Sequence, residues 1–198
     1  MHLELVTTFV LDKLRNELSP DFKYHCVEHT KDVFDAAERI ARLENDVSDQ
    51  NMLLLLTAAL FHDTGFLVSP INHEINSCHF AREHLPNHDY NDVQIHQICA
   101  LIMATKVPQK PKDHLQQIIC DADLDYLGRD DFFEISEKLY EEMVILGNVS
   151  SREEFLNAQL HFFKAHRYFT STASKLRNGK KQEHLNTIKK IYSDTKNI

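Results

Sequence analysis

Apolar residues recur every three or four positions along most of the chain, which is the spacing of amphipathic helices. The first such segment runs from about Leu3 to Leu18 and stops before Pro20, because proline is excluded from a helix interior. A second amphipathic segment begins near His25. The pattern therefore predicts that the chain opens with two helices.

The third segment differs, since it is apolar on nearly every face from Met52 to Phe61. Ser48 has the short hydroxyl side chain typical of the residue that caps a helix N-terminus. A helix without a polar face belongs at the centre of a core. His62 and Asp63 follow it directly, so we expect these two polar residues at the end of a buried helix.

The rest of the chain also predicts helices. A fourth helix is predicted to be capped by Asn72 and to end at Pro86, and Ser151 and Glu154 form the pattern of a capping box. The other predicted helical segments are 92–105, 114–128, 131–146 and an amphipathic tail at 172–192, with Leu176, Leu185, Ile188 and Ile191 inward. No segment alternates like a strand. We predict an all-α, single-domain helical bundle over residues 1–198.

Composition and charge narrow the range of partners. The net charge of −8 on 198 residues argues against binding a nucleic-acid polymer, which needs a basic surface. The longest apolar run covers about ten residues, whereas a membrane helix needs about twenty. The N-terminus lacks the basic start of a signal peptide, and the four cysteines are scattered. These features predict a cytoplasmic protein with reduced thiols, and no membrane partner.

A histidine and an aspartate at the end of a buried helix are chemically unusual, because buried charge is tolerated only when it is paired or bound to metal. Upstream, His25 and His29 are spaced four residues apart, hence on one helix face. Downstream lies Asp123, within Ala122-Asp123-Leu124. Histidine nitrogen and carboxylate oxygen suit several divalent metals.

The order H…HD…D over three helices resembles the HD-domain superfamily of metal-dependent phosphohydrolases, across about residues 22–130, with helices 131–198 completing the bundle. This resemblance implies that the metal ligands are His29, His62, Asp63 and Asp123. It also implies a hydrolytic reaction on a phosphate monoester or diester. In such a reaction the ion acidifies a water and polarises a phosphoryl oxygen.

The segment Tyr24-His25-x-x-x-His29-x-x-Asp32-Val33 is particularly similar to the first motif of cyclic-nucleotide phosphodiesterases. By that resemblance His25 is the general acid, and Asp63 also orients the attacking water. The same comparison favours Asp123 over Asp121 as the last ligand, and a nucleotide or cyclic nucleotide as the substrate.

Two departures from the phosphodiesterase pattern bear on the metal count. Phe66 stands where those enzymes have a further histidine, and Thr105 where a dinuclear member would have another. We therefore expect one tightly bound divalent ion, with a weak second ion bridged by Asp63 as the alternative. Mn, Fe, Zn, Ni, Co and Mg all fit these ligand types.

Several residues outside the ligand set are candidates for contacting the substrate. Lys106 and Arg129 follow the fifth helix and the last motif, while His166 and Arg177 match the C-terminal helices of small bacterial HD proteins. His73 is the fifth candidate, and a first-turn surface position is the alternative interpretation of it.

Two other functions compete with hydrolysis. A diiron oxygenase of the same superfamily would need extra histidine ligands, which Thr105 argues against. A non-catalytic, metal-stabilised module that senses nucleotides would need no turnover. The sequence leaves the physiological substrate and the oligomeric state open.

Overall fold

The computed structural model describes residues 2–195, which form nine α-helices without any strand. The helices are α1 Leu3–Glu17, α2 Val27–Glu44, α3 Asp49–Phe61, α4 His73–His84, α5 Asp92–Ala104, α6 His114–Asp123, α7 Phe132–Ile145, α8 Arg152–Ala165 and α9 Ser171–Thr195. Short 3-10 turns occupy Thr64–Leu67, Leu85–His88 and Asp125–Gly128. The all-α prediction is confirmed. Among the described helices, none is both long and apolar enough to cross a membrane.

The helices form two compact units. One comprises Met1–Ser19 with His25–Leu124, and the other comprises Pro20–Tyr24 with Asp125–Ile198. The organisation of residues 1–198 as one domain stays a prediction. In the first unit α3 is the central helix, with α1, α2, α5 and α6 packed around it. Every residue from Leu54 to Phe61 is buried there, as its continuous apolar pattern predicts.

The helix N-termini test the capping residues that the sequence predicts. Ser48 Oγ accepts a hydrogen bond from Asn51 N, which confirms the predicted cap of α3. Asn72 precedes α4 but does not cap it, because its left-handed backbone (φ 56°) turns the side chain elsewhere and its Oδ1 accepts from Lys106 Nζ. A complete capping box forms at Asn91 and Gln94, before α5.

Two other boundary predictions need correction. Helix α2 starts at Val27, so His25 lies just before the helix instead of within it. At α8, Ser151 Oγ accepts from Glu154 N, but the Glu154 carboxylate accepts from Ser150 N and Oγ. In a capping box the Glu154 carboxylate would accept from Ser151 N, so this half of the prediction is wrong, and Ser150 is the donor instead.

In the second unit α9 packs against α8 and the Asp125–Gly128 turn. Leu185 and Ile188 are buried as predicted, whereas Leu176 and Ile191 are 46% and 40% exposed, against the prediction. The buried face includes Lys181 and His184 instead, because each has a backbone partner: Lys181 Nζ donates to His166 O at 2.6 Å, and His184 Nδ1 lies 2.9 Å from Leu127 O.

Candidate metal centre

Three helices of the first unit bring the predicted ligands together. His29 lies in α2, His62 and Asp63 follow the last residue of α3, and Asp123 is the last residue of α6. Because α2 packs against both α3 and α6, residues distant in sequence meet at one place. His29, His62 and Asp63 are buried, and the Asp123 side chain is 14% exposed.

The donor atoms of the two histidines and Asp123 converge. Nε2 of His29 and Nε2 of His62 are 3.3 Å apart, and Asp123 Oδ1 lies 3.4 Å and 3.6 Å from them, respectively. All three donor atoms lie within 4.8 Å of one another, a group that could hold a metal ion. In the described part of the chain no second group of three such donors is this compact.

Asp63 is the fourth member of the cluster. Its Oδ2 lies 3.1 Å from His62 Nε2 and 3.4 Å from His29 Nε2, yet it is buried without a hydrogen bond of acceptable geometry. A buried, unsatisfied carboxylate oxygen is costly. Two imidazole nitrogens facing each other can share only one hydrogen, whereas both lone pairs can coordinate a cation. The residues therefore fit a divalent ion held by two nitrogens and two carboxylates.

Neighbouring groups orient these ligands. His62 Nδ1 lies 2.8 Å from Ala59 O, so that nitrogen carries the hydrogen and the Nε2 lone pair faces the cluster. Gln109 Nε2 donates to Asp123 Oδ2 at 3.4 Å. Sequence reasoning missed Gln109, because it lies in a loop outside every motif. A glutamine there gives no signal until the fold brings it to Asp123.

A second missed group is Ser77 of α4. Its hydroxyl donates to His62 O at 2.7 Å and accepts from Gly65 N at 2.8 Å, which fixes the turn after α3. The approach of α4 is so close that a Cβ on Gly65 would lie 1.9 Å from His73 O. The glycine after the His-Asp pair is thus required by packing.

The metal-free cluster has strongly perturbed protonation. Burial by itself lowers the pKa of His29, but the Asp123 and Asp63 carboxylates beside its ring outweigh burial and raise that pKa to about 10. The pKa of His62 is also raised against the effect of burial, mainly by the charge of Asp63. Burial would raise the pKa of Asp63, yet the charge of His62 and the short contacts with both histidine nitrogens hold it well below its usual range.

These shifts predict how the metal-free protein responds to pH. Because the pKa of His29 is raised from 6.5 to about 10, its stabilising effect is complete below pH 6.5 and is lost as pH rises toward 10. In excess chelator we expect a loss on the order of 5 kcal/mol over that interval, since each pKa unit corresponds to about 1.36 kcal/mol, or roughly 10 °C or more in Tm. His29→Gln should show a smaller decline in thermal unfolding. Parallel declines in both proteins would contradict the prediction.

Two of the other predicted site residues lie beside the cluster. His73 Nε2 is 3.5 Å from Asp63 Oδ1, and the His25 ring meets the His29 ring edge-on at 5.9 Å between centroids. Lys106 is exposed and reaches Asn72, the residue before His73, at 3.4 Å. Thr105, where a further ligand would be expected, is buried with its hydroxyl donating to Ile102 O.

Arg129, His166 and Arg177 belong to the second unit. Arg177 forms two hydrogen bonds to the buried carboxylate of Asp125, at 2.8 Å and 3.0 Å. Arg129 is paired in the same way with Asp131. The His166 ring packs edge-on against Tyr168. Both arginines line a shallow surface pocket of about 490 Å³.

Comparisons with known proteins agree with this architecture. A protein from an uncultured Thermotogales bacterium, described as a predicted HD superfamily hydrolase, superposes with a TM-score of 0.63 at 18% identity, covering 98% of this chain and 92% of that one. A Lactobacillus plantarum protein gives a TM-score of 0.67 at 19% identity, covering 97% of both chains. Bacillus subtilis YpgQ, solved with ADP, gives 0.65 at 16% identity, covering 98% of this chain and 97% of that one.

A search of curated proteins finds no match. The sequence model of the HD domain, however, matches residues 26–125, which include all four proposed ligands. A match to that family supports metal-dependent phosphohydrolase activity in general terms. On this match, the chain belongs to the HD-domain family.

Proposed function

We propose that this protein hydrolyses a phosphate monoester or diester with the help of one divalent metal ion. The observation that carries the proposal is the convergence of His29, His62 and Asp123 donor atoms within 4.8 Å, beside the unsatisfied Oδ2 of Asp63. Two carboxylates at this centre would repel a phosphate. A divalent cation would cancel their charge and make the site attractive to an anion.

His29, His62, Asp63 and Asp123 would hold the ion, and a weaker second ion bridged by Asp63 stays an alternative. When bound, the ion supplies Lewis acidity and lowers the pKa of water. The chain supplies the rest. Asp63 Oδ1, on the side facing His73, orients the attacking water, and His25 donates a proton to the leaving oxygen.

Substrate contacts follow from the positions of nearby polar groups. His73 and Lys106 lie on the Asp63 side, and both can donate hydrogen bonds to phosphate oxygens. Arg129, His166 and Arg177 stay proposed contacts. Arg129 and Arg177 now pair with the carboxylates of Asp131 and Asp125. To contact a substrate, each arginine would have to bind the phosphate beside its carboxylate or in place of it.

For the substrate class, we propose a nucleotide or a cyclic nucleotide, acted on in the cytoplasm. The ADP bound to Bacillus subtilis YpgQ supports a nucleotide, since that protein has the same fold. The net charge of −8 supports a small phosphorylated molecule over a nucleic-acid polymer.

The experiment is a hydrolysis screen of purified protein loaded separately with Mn²⁺, Co²⁺, Zn²⁺, Ni²⁺, Fe²⁺ or Mg²⁺. Substrates would include nucleoside mono-, di- and triphosphates, cyclic nucleotides and a generic aryl phosphate. We expect release of phosphate or of a nucleoside monophosphate that stops when the metal is chelated. Metal-loaded protein that is inert across this panel would overturn the proposal.

The same metal-loaded protein can also distinguish hydrolysis from the two competing functions. Two irons per chain, with oxygen consumption in place of phosphate release, would indicate a diiron oxygenase. Tight binding of a nucleotide by metal-loaded protein without turnover would indicate a sensing module. One metal per chain with turnover is the result that we expect.

A further inference from the structure

Phe66 lies in the 3-10 turn directly after the His-Asp pair and contacts two imidazole rings at once. Its ring stacks on His25 at 4.2 Å between centroids with 19° between planes, and on His73 at 4.4 Å with 28° between planes. The two imidazole centroids are 6.1 Å apart. Phe66 itself is only 6% exposed, so its ring is held by the core while the histidines are half-buried.

Helix geometry alone does not fix either imidazole ring. His25 precedes α2, and His73 is the first residue of α4, where a side chain has fewer helical neighbours. His73 Nδ1 also lies 3.3 Å from Pro70 O. The flat, apolar Phe66 ring stacks on both imidazole rings. This contact restricts the rotation of each imidazole about its own Cβ–Cγ bond. Stacking covers the ring faces and does not cover the nitrogens, which lie in the ring planes.

We infer that Phe66 is a positioning residue that fixes the ring planes of His25 and His73 on the Asp63 side of the metal centre. The inference rests on the proposed function, in which His25 donates a proton and His73 contacts the phosphate. His73 Nε2 already lies 3.5 Å from Asp63 Oδ1, so a rotation of either ring would misalign donors beside the reacting group.

Ordinary core packing is the competing explanation, and it predicts a different pattern. A core phenylalanine can be replaced by leucine at a modest cost in stability, with no specific effect on reaction rate. A positioning residue needs a planar ring. Phe66→Leu should therefore lose function while Phe66→Tyr recovers it, even when the two variants are equally stable.

The test combines steady-state kinetics with NMR of the histidine rings in zinc-loaded protein. For Phe66→Leu we expect kcat to fall about 10- to 100-fold, with KM within about threefold of wild type and the zinc content unchanged. Any replacement of Phe66 by leucine removes its ring-current shift, so the diagnostic change is broadening of the His25 and His73 ring signals, which reports new rotational freedom. Phe66→Tyr should keep these signals sharp and bring kcat within about threefold of wild type.

Phe80→Leu is the matched control, since Phe80 also contacts a histidine ring, His84, at 4.3 Å between centroids but outside the metal centre. It should leave kcat unchanged. His25 and His73 signals that stay as sharp in Phe66→Leu as in wild type would overturn the inference. So would broadened signals with normal kcat, or a Phe66→Tyr variant as slow as Phe66→Leu. If wild-type protein has no activity, the proposed function fails, and the ring signals still decide the role of Phe66.

Discussion

His62→Ala is expected to abolish metal-dependent hydrolysis, lowering kcat/KM by about 10³-fold or more. His62 Nε2 lies within 3.6 Å of His29 Nε2 and of both carboxylates, so removing it deletes the donor that faces every other ligand. Loss of the ion removes several kcal/mol of charge stabilisation in the transition state, and each 1.36 kcal/mol corresponds to about tenfold in rate. Metal content by elemental analysis and kcat/KM on the best substrate of the screen are the measurements.

The control for this substitution is His79→Ala. His79 is an exposed histidine of α4, so the same residue type is removed without touching the proposed ligands. We expect it to keep its metal and its activity. A folded His62→Ala protein that retains both bound metal and turnover would show that the reaction does not depend on this cluster.

Arg177→Met is expected to destabilise the second unit by about 3 kcal/mol, through the loss of a buried ion pair. Asp125 is 1% exposed at its side chain, and Arg177 supplies two hydrogen bonds to it. Arg129 also approaches Asp125, at 3.8 Å, but pairs with Asp131. Removing Arg177 therefore takes two charge-assisted hydrogen bonds away from a buried carboxylate. Chemical denaturation measures the change.

Arg129→Met is the matched comparison. Its main partner, Asp131, is 45% exposed, so we expect a loss of only about 1 kcal/mol. In the double variant Arg177→Met with Asp125→Asn, part of the stability should return because the buried charge is gone. Equal losses for the two arginine variants would contradict the account of Asp125 and Arg177.

The prediction of the helical fold and the hypothesis about the metal ligands rested on different features of the sequence. Helix α3 was predictable because a fully apolar helix must occupy the centre of a core, and its position fixed that of His62 and Asp63. The ligand set depended on resemblance to a family, since periodicity alone cannot show that α2, α3 and α6 meet. The structure adds that contact and places the Asp123 carboxylate beside both histidines.

Other features could not be predicted, because they depend on pairs far apart in the chain. Arg177 meets Asp125 across 52 residues, and Gln109 reaches Asp123 from a loop. In α9, a pattern of apolar residues gave the wrong inward face at Leu176 and Ile191. Its buried side includes Lys181, whose burial depends on a distant backbone carbonyl.

The choice between Asp123 and Asp121 also depends on residues that are far apart in the chain. Side chains two positions apart on a helix point about 200° apart, so one metal can be reached by only one of them. In the sequence, only the resemblance of Ala122-Asp123-Leu124 to the phosphodiesterase motif favours Asp123. The structure favours Asp123, whose Oδ1 lies 3.4 Å from His29 Nε2, while Asp121 is completely buried.

The most direct test of the metal centre is anomalous diffraction from crystals of the protein loaded with Mn²⁺. We predict one strong anomalous peak per chain, within coordination distance of Nε2 of His29 and His62 and of the carboxylates of Asp63 and Asp123. A strong peak elsewhere, or no peak between these four side chains in Mn²⁺-loaded crystals, would contradict the account.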